Sequence, residues 1–377
     1  MAVDNAERLS AVGPIDPQHG FPLWFEDVSG TKLDLGLGED PLLPAIGDLP
    51  VPGAPAEFPN NFPDEAFYFM AEARLPVGGG GTIGRARVIM ALEAAFGAAG
   101  QPIPGLQVVF ARMRVRIDDV IPGAPYVVTH PYGETAALFA DEGGRVFYTE
   151  DLGIVEGDPT AVLRSGRIAP FLRWQAGAPP GYLGDGVSER PVTGSPFGTN
   201  FVSIAGPRIR EGGGQPDPGA PADMDRIWTN LFTVQGRMAR RLGATATAAT
   251  YAVAGGAQQL RVQASSAVGQ AVELVAGGTR IALQGSGIYH CGIAAVPAVP
   301  ADAAIFNVTD VPPTRWPISF TDQVVVESAL HDMAAHTLTV KARSSDPAAS
   351  LTIPALGLTI TASPQVFAGI DAAPAVL

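Results

Sequence analysis

Four residues near the middle of the chain carry side chains that could bind a divalent metal ion. His130 and Glu134 lie in the segment Thr129-His-Pro-Tyr-Gly-Glu134, and Glu150 and Asp151 follow a predicted strand. Imidazole and carboxylate ligands together suit several divalent ions. No pair of these residues has a metalloenzyme spacing such as H-x-x-E-H. The set could form a metal site, but a hydrogen-bonded histidine that stabilises its turn is the favoured interpretation, with metal binding as the alternative.

The same acidic stretch could bind calcium. Glu150, Asp151, Glu156 and Asp158 place four carboxylates within nine residues, and oxygen-rich loops of this kind bind Ca²⁺. The chain lacks the D-x-[DN]-x-[DN]-G pattern of the best known calcium loops, so a solvated acidic loop is the competing interpretation. Apart from calcium or another divalent metal, no cofactor is predicted.

Aromatic residues provide a second kind of candidate site. Trp24, Tyr68, Trp174 and Tyr182 lie in the N-terminal part of the chain. If their rings face outward, they form a platform on which a sugar or a peptide stacks. The competing interpretation is that these rings belong to the core and anchor the loops.

The sequence contains no nucleophile motif. Ser195 is followed directly by Pro196, whereas a nucleophile elbow needs Gly-x-Ser-x-Gly between a strand and a helix. The glycine run Gly78–Gly81 lacks the Gly-Lys-Ser/Thr ending of a phosphate-binding loop. An enzyme on this chain would instead use paired carboxylates, for which Glu134 and Glu150 would have to stand ~5–9 Å apart. No catalytic residue is therefore assigned.

The elements that must position these residues are predicted to be strands. Glycine and proline account for 45 and 35 of the 377 residues, and they fall between short runs of alternating apolar residues. Because such interruption prevents long helices, we predict an all-β chain. The clearest strand is Val109–Ile117, with Arg112, Arg114 and Arg116 on one face and apolar side chains on the other. We expect these arginines to pair with acidic residues on neighbouring strands, and binding of an acidic polymer is the alternative.

Two segments are ambiguous, and one cysteine requires an interpretation. Residues 65–75 and 83–96 could be helical by propensity, but alternation in the first and glycine-rich flanks around the second favour strands. Cys291 is the single cysteine, so no internal disulfide is possible. It lies in an alternating run and is predicted to be a small buried residue.

Composition excludes several functional classes. The net charge of −13 has the wrong sign for a nucleic-acid-binding protein. No apolar run reaches the ~18 residues that a transmembrane helix needs. A hydrophobic content of 46% provides material for real cores. The first residues have no charged segment followed by an apolar one, so no signal peptide is predicted.

The chain is predicted to form a multi-domain β-sandwich. Residues 1–12 are expected to be a tail and residues 13–243 a larger β-rich domain with a Gly/Pro-rich loop or linker at 207–225. Residues 244–315 and 316–377 are expected to form two smaller β-sandwich modules, or a single sandwich. An internal repeat supports this division, since Gln258–Ser266 matches His336–Ser344 at an offset of 78 residues.

Several sequence segments in the first 240 residues resemble those of a group of uncharacterised bacterial proteins. Members of this group place a β-rich domain before immunoglobulin-like modules, in exported or cell-surface chains. The resemblance implies an extracellular or surface location, with a cytoplasmic one left open, and it brings no activity or catalytic residue. It is carried by Gly13–Pro17, Gly20–Phe25, Thr129–Gly133, Pro170–Trp174, Gly181–Asp185 and Ser195–Phe201.

These observations lead to three hypotheses of function. The leading one is a non-enzymatic, exported or surface-associated β-sandwich protein that has a structural role or binds a glycan or protein ligand. The second is a metal- or carboxylate-dependent enzyme acting on polysaccharide. The third is self-association through exposed edge strands into a filament or surface layer.

Overall fold

The computed structural model describes residues 9–38, 40–43, 49–97, 100–165, 167–254, 257–346 and 348–372. Almost all of the ordered elements are strands in antiparallel sheets, which confirms the predicted all-β, multi-domain β-sandwich. Contacts divide the chain into two units, Met1–Leu242 and Gly243–Leu377. No helical segment of the described chain has the length and apolarity required to span a bilayer.

The first unit contains sixteen strands within the described residues and two short 3₁₀ segments, Ala161–Arg164 and Ile209–Gly212. The strands are β1 (Leu9–Val12), β2 (Trp24–Asp27), β3 (Lys32–Asp34), β4 (Glu65–Val77), β5 (Gly84–Phe96), β6 (Gln107–Ile117), β7 (Pro125–His130), β8 (Gly133–Glu134), β9 (Leu138–Phe139), β10 (Val146–Leu152), β11 (Arg173–Trp174), β12 (Arg190–Thr193), β13 (Val202–Ala205), β14 (Arg226–Thr229), β15 (Leu231–Gln235) and β16 (Arg237–Met238).

A seven-stranded sheet with the order β10-β6-β5-β4-β15-β12-β11 forms the centre of this unit. Sheets β1-β2-β3-β16 and β14-β13-β7-β8 accompany it, and β9 pairs with β7. One contiguous apolar cluster contains residues from all three sheets. The predicted tail is wrong in part, because residues 9–12 form β1 and bury Leu9 in this cluster, while residues 1–8 lie outside the described residues.

Both ambiguous segments are strands, as β4 and β5. Their pairing shifts register between Phe67 and Phe69, so Tyr68 is the extra residue of a β-bulge. The bulge interrupts the alternation of faces, and both Tyr68 and Phe69 are therefore buried. A strictly alternating strand would have placed them on opposite faces.

The turn between β4 and β5 depends on glycine at a close backbone approach. A Cβ atom at Gly84 would lie 2.0 Å from the carbonyl oxygen of Asp118. Gly84 pairs with Val77 at the end of the β4–β5 ladder, and the amide of Asp118 donates to the carbonyl of Arg85. Any side chain at Gly84 would separate this turn from the end of β6.

The Gly/Pro-rich segment 207–225 is a loop of the first unit. The Arg210 guanidinium donates to the carbonyl of Ala222, and the amide of Arg208 donates to Asp225. Strands on both sides of the loop, β13 and β14, pair with each other. Because the loop returns to the same sheet, it does not separate the two units.

The second unit contains fourteen strands within the described residues and the 3₁₀ segment Pro354–Leu356. The strands are β17 (Ala244–Ala254), β18 (Ala257–Ser266), β19 (Val272–Ala276), β20 (Thr279–Ala282), β21 (Gln284–Ser286), β22 (Tyr289–Val296), β23 (Ala303–Asn307), β24 (Thr314–Ile318), β25 (Thr321–Asp322), β26 (Val324–Asp332), β27 (Thr337–Ser344), β28 (Leu351–Ile353), β29 (Leu358–Ile360) and β30 (Gln365–Ala368).

This unit has two apolar cores, which define two modules. The first module contains sheets β21-β22-β18-β17-β25 and β20-β19-β23-β24, and the second contains sheets β26-β27-β30 and β28-β29. The predicted division between residues 315 and 316 falls inside β24, which pairs with β23 of the first module. The chain enters the second module after Asp322, at the start of β26.

The internal repeat has the same geometry in both modules. Leu260, Val262 and Ala264 of β18 are buried in the first core, and their counterparts Leu338, Val340 and Ala342 of β27 are buried in the second. Each strand forms a hairpin with the preceding one, and each hairpin contains a bulge beside the repeated alanine. The turn residues 255 and 256 of the first hairpin lie outside the described residues.

Cys291 contradicts the prediction of burial. It lies on β22, where the buried residues include His290 and Ala294. Cys291 is on the opposite face of the strand and is exposed. The sequence predicts the alternation correctly, but the face predicted to contact the core is the wrong one.

Candidate functional site

The hairpin of β7 and β8 positions His130 at the end of a strand. Thr129 pairs with Glu134 and His130 with Gly133, so the intervening residues form a tight turn. The amide of Tyr132 donates to Nδ1 of His130 at 3.3 Å. In a neutral imidazole the proton therefore resides on Nε2. This is the turn-stabilising role that the sequence favours over metal binding.

A second loop is fixed against this turn by Ser195. Its hydroxyl donates to the carbonyl of Pro131 at 2.7 Å and accepts the amides of Phe197 and Thr199 at 3.1 and 3.0 Å. The serine thus stabilises a turn, in agreement with the absence of a nucleophile motif. The hydrogen bonds of Ser195 place Phe197 and Thr199 beside His130.

Strand β10 forms the other wall. Tyr148 and Glu150 project from one face of the strand, and Glu150 pairs with Met113 of β6. Arg167 lies 3.6 Å from Glu150 between Nη1 and Oε1. Burial and the nearby Glu150 raise the pKa of Tyr148, so its hydroxyl stays protonated and can donate a hydrogen bond.

These elements enclose a cleft of about 710 Å³, which we call the His130 cleft. Three of the four predicted metal ligands line it, together with aromatic rings and threonine hydroxyls that lie far apart in sequence. The lining residues are Met113, Thr129, His130, Tyr132, Gly133, Glu134, Thr135, Ala136, Tyr148, Glu150, Arg167, Ile168, Phe197 and Thr199.

Both carboxylates of the His130 cleft have cationic neighbours. Glu134 accepts the Thr129 hydroxyl at 2.7 Å and lies 3.8 Å from Nη2 of Arg226. Glu150 has Arg167 beside it. The cleft therefore combines aromatic surface and hydrogen-bonding groups with balanced charge.

Asp151, the fourth predicted metal ligand, is not brought together with the other three. It follows Glu150 on β10 and points to the opposite face, where it accepts Arg112 at 2.8 and 3.0 Å. Within the described residues, no group of three His, Cys, Asp or Glu side chains could hold a metal ion. The predicted set of four metal ligands is therefore wrong, because Asp151 lies apart from the other three.

In the predicted calcium loop, the last carboxylate accepts hydrogen bonds from a residue two positions further along the chain. Asp158 accepts the hydroxyl and the amide of Thr160 at 2.6 and 3.0 Å, and these hydrogen bonds lower its pKa. Asp158 thereby stabilises a local turn just before the 3₁₀ segment Ala161–Arg164, whose N-cap residue is Thr160.

Arg112 confirms the predicted pairing of the strand arginines with acidic residues. Its Nη1 atom donates to both oxygens of Glu93 at 3.0 and 2.9 Å, while Nε and Nη2 bind Asp151. Arg114 and Arg116 instead lie over the Phe147 ring, at 5.9 and 5.3 Å from its centroid. Arg112 therefore binds carboxylates, whereas Arg114 and Arg116 share one aromatic ring.

Glu93 is a buried carboxyl of this unit with a raised pKa. Only 1% of its surface is exposed. Burial raises its pKa to about 8; Arg112 opposes this shift, and the nearby carboxylates Glu65 and Asp151 add to it. A second cleft of about 570 Å³ includes Arg112 and Asp151 in its wall. Because Glu93 lies beneath this surface, it stabilises the cluster rather than contacting a ligand.

The predicted aromatic platform is not formed by Trp24, Tyr68 and Trp174, which are all buried. Each ring instead satisfies its polar atom inside the unit. Trp24 donates to the carbonyl of Leu242, Tyr68 to that of Pro22 and Trp174 to that of Phe232, at 3.1, 2.6 and 3.1 Å. The alternative interpretation, core and loop anchors, describes these three rings correctly.

Tyr182 is half-buried and also has a structural partner. Its hydroxyl donates to Oδ2 of Asp40 at 2.6 Å, and the same carboxylate accepts Nη1 of Arg237 at 3.0 Å. Arg237 also binds Asp34 at 2.8 Å. The ring thus belongs to a network that closes the sheet containing β3 and β16.

In comparisons with protein families, curated proteins and solved structures, nothing matches this chain. The geometry of the clefts is therefore the basis on which a function can be assigned. Sequence reasoning found His130, Glu134 and Glu150 but not Tyr148 and Arg167. The position of Tyr148 could have been predicted from the sequence. Tyr148 and Glu150 are two residues apart on β10, so their side chains lie on the same face of the strand.

Proposed function

We propose that the protein is a non-enzymatic, exported or surface-associated β-sandwich protein that binds a saccharide in the His130 cleft. The observation that carries this proposal is the combination, in one cleft, of accessible aromatic rings with hydroxyl, imidazole and carboxylate groups. Sugar rings present apolar faces that stack on aromatic side chains, and their hydroxyls require donors and acceptors.

The charge of the cleft supports a neutral or weakly basic saccharide. Glu134 and Glu150 add two negative charges, and Arg226 and Arg167 lie beside them. A strongly anionic ligand would have to approach both carboxylates and a chain of net charge −13. The C-terminal modules, interpreted as immunoglobulin-like, would then carry this domain at a surface.

A glycan array followed by calorimetric titration tests the proposal. We expect a glycan to bind, and Phe197→Ala to weaken binding by about 10-fold or more, the range expected for the loss of a stacking ring. Phe147→Ala is the matched control, because Phe147 is exposed on the same strand as Tyr148 but faces Arg114 and Arg116. The proposal fails if no glycan binds or if both variants weaken binding equally.

One observation favours the second function, a carboxylate-dependent glycoside hydrolase. Glu134 and Glu150 line the same cleft, as general acid–base catalysis would require. If the bound glycan is cleaved, and Glu134→Gln or Glu150→Gln abolishes cleavage while binding persists, the protein is an enzyme. Metal analysis of the purified protein, with His130→Ala as comparison, decides whether a metal takes part.

A further inference from the structure

Five arginines lie on the face of the seven-stranded sheet that is opposite the apolar cluster, in a chain whose net charge is −13. Arg74 of β4 pairs directly with Arg87 of β5, and Arg87 pairs with Arg116 of β6. Arg85 and Arg114 each precede one of these residues by two positions on the same strand, so their side chains project from the same face. We call the five residues the arginine face.

The row of three directly opposed arginines requires compensation, because like charges opposite one another destabilise a sheet. Glu72 of β4 provides part of it. This carboxylate is 2% exposed, and it accepts Nε and Nη2 of Arg87 at 2.8 and 2.7 Å as well as Nε of Arg74. Glu72 thus fixes two guanidinium groups at the surface and neutralises one of the two charges.

The other three arginines of the face form no ion pair among the described residues. Arg114 and Arg116 lie over the Phe147 ring, and the buried Nε atom of Arg114 has no hydrogen-bond partner in the part of the chain that the structure describes. Asp118, at the end of β6, lies 3.9 Å from Nε of Arg145. The arginine face therefore has a net positive charge within a strongly acidic chain.

The shape of the arginine face suits an extended ligand. A cleft of about 510 Å³ lies on its β4–β5 side, and Arg74, Arg85, Arg87 and the exposed Ile83 line it. At the other end of the row, on β10, Phe147 is 62% exposed. Because neighbouring strands lie ~4.8 Å apart, the row from Arg74 to Phe147 extends ~14 Å across four strands.

We propose that the arginine face binds a linear polysaccharide that carries repeated carboxylate groups. Planar guanidinium groups bind carboxylates through two parallel hydrogen bonds, and the Phe147 ring can stack on a sugar face. Charges are screened beyond ~8 Å at physiological ionic strength, so a narrow chain along the row meets the arginines while more distant carboxylates are screened. A single-stranded nucleic acid requires several stacking rings, and the row contains one.

Calorimetric titration of the full-length chain with an oligogalacturonate tests the proposal. We expect saturable binding that weakens as the salt concentration rises, because salt screens exposed charges. The fully methyl-esterified oligomer of the same length is the control ligand, since it keeps the sugar chain and lacks the charge. It should bind at least about 10-fold more weakly. Absence of binding by the charged oligomer, or equal binding of both, overturns the proposal.

Variants locate the binding surface. Arg85→Gln combined with Arg116→Gln should weaken oligogalacturonate binding by about 10-fold or more. Both side chains are exposed, so the double substitution should not unfold the unit. Arg261→Gln, at an exposed arginine of the second unit, controls for the loss of charge, and Phe197→Ala controls for binding in the His130 cleft. The proposal is overturned if either control weakens binding as much as the arginine pair does.

Other polyanions decide the class of the partner. Polyglutamate and a single-stranded oligonucleotide, each with the same number of charges as the oligogalacturonate, should bind more weakly than it does. Tighter binding of either one overturns the proposal, because the arginine face would then recognise an acidic protein segment or a nucleic acid.

Discussion

Tyr68 illustrates how a buried ring with a polar atom stabilises the first unit. The bulge in β4 turns the ring inward, where it packs edge-on against Phe25 with ring centroids 4.9 Å apart. Its hydroxyl donates to the carbonyl of Pro22 at 2.6 Å. The side chain therefore contributes both apolar burial and a satisfied hydrogen bond.

Tyr68→Phe should lower the free energy of unfolding by about 1–3 kcal/mol, because it leaves the buried carbonyl of Pro22 without this donor. Urea unfolding followed by tryptophan fluorescence measures the change, since Trp24, Trp174 and Trp228 all lie in the first unit. Tyr289→Phe, an exposed tyrosine of the second unit, serves as control. Equal effects of the two substitutions would contradict the role of this hydrogen bond.

Glu93 should make the stability of the first unit depend on pH. Burial raises its pKa from 4.5 to about 8, so between these values the folded chain keeps a proton that the unfolded chain has released. This contribution to stability is complete below pH 4.5 and is lost as pH rises to about 8. The slope is at most about 1.4 kcal/mol per pH unit.

Glu93→Gln should remove this slope while keeping an oxygen that accepts the Arg112 guanidinium. Unfolding free energies of both proteins at several pH values between 4.5 and 8 provide the measurement. The variant should become more stable relative to the natural protein as pH rises. Parallel curves would mean that Glu93 is ionised in the folded protein throughout this range.

At the scale of elements, the turns depend on local backbone distances. Gly84→Ala should cost about 1–3 kcal/mol, the range for overpacking, because its Cβ would lie 2.0 Å from the Asp118 carbonyl. Gly143→Ala is the matched control, since the nearest atom to its Cβ is an Asp141 oxygen at 3.4 Å. Urea unfolding of the two variants tests the difference, and similar midpoints would contradict it.

Strand type and face could be predicted from sequence wherever alternation was uninterrupted. The face of β6 that carries Arg112 was assigned correctly, because every second residue from Val109 to Ile117 is apolar. Tyr68 could not be placed, because a bulge adds one residue and leaves no mark in the residue pattern. The prediction that Cys291 is buried is wrong for a related reason. Small residues occupy both faces of β22, so alternation alone does not show which face contacts the core.

The His130 cleft shows the corresponding limit for a site. His130 and Glu134 belong to one hairpin, so their proximity follows from a local turn that the sequence indicates. Phe197 reaches the cleft only because Ser195 binds the Pro131 carbonyl, a contact between residues 64 positions apart. Such long-range contacts depend on sheet order, which residue types and spacing do not encode.

At the scale of the whole molecule, the two units have separate apolar cores, and the second unit has two of unequal size. The core around Leu338 is the smallest, and it is bordered by half-buried side chains such as Leu351 and Ile360. Stability should therefore differ among these parts of the chain.

Differential scanning calorimetry should resolve more than one unfolding transition. Leu338→Ala should lower the earliest transition, and Leu260→Ala a later one, each by an amount equivalent to about 2–5 kcal/mol. Tyr68→Phe should leave both unchanged and lower the transition of the first unit. One cooperative transition that shifts with all three substitutions would show that the cores unfold together.

The outward orientation of Cys291 has a practical consequence. As the single thiol of the chain, exposed on β22, it allows a maleimide dye to label each molecule at one defined position without mutagenesis. The same thiol can join two molecules covalently under oxidising conditions. Purification without a reductant would then yield cross-linked pairs, and mass measurement before and after reduction would separate these from pairs held by strand contacts.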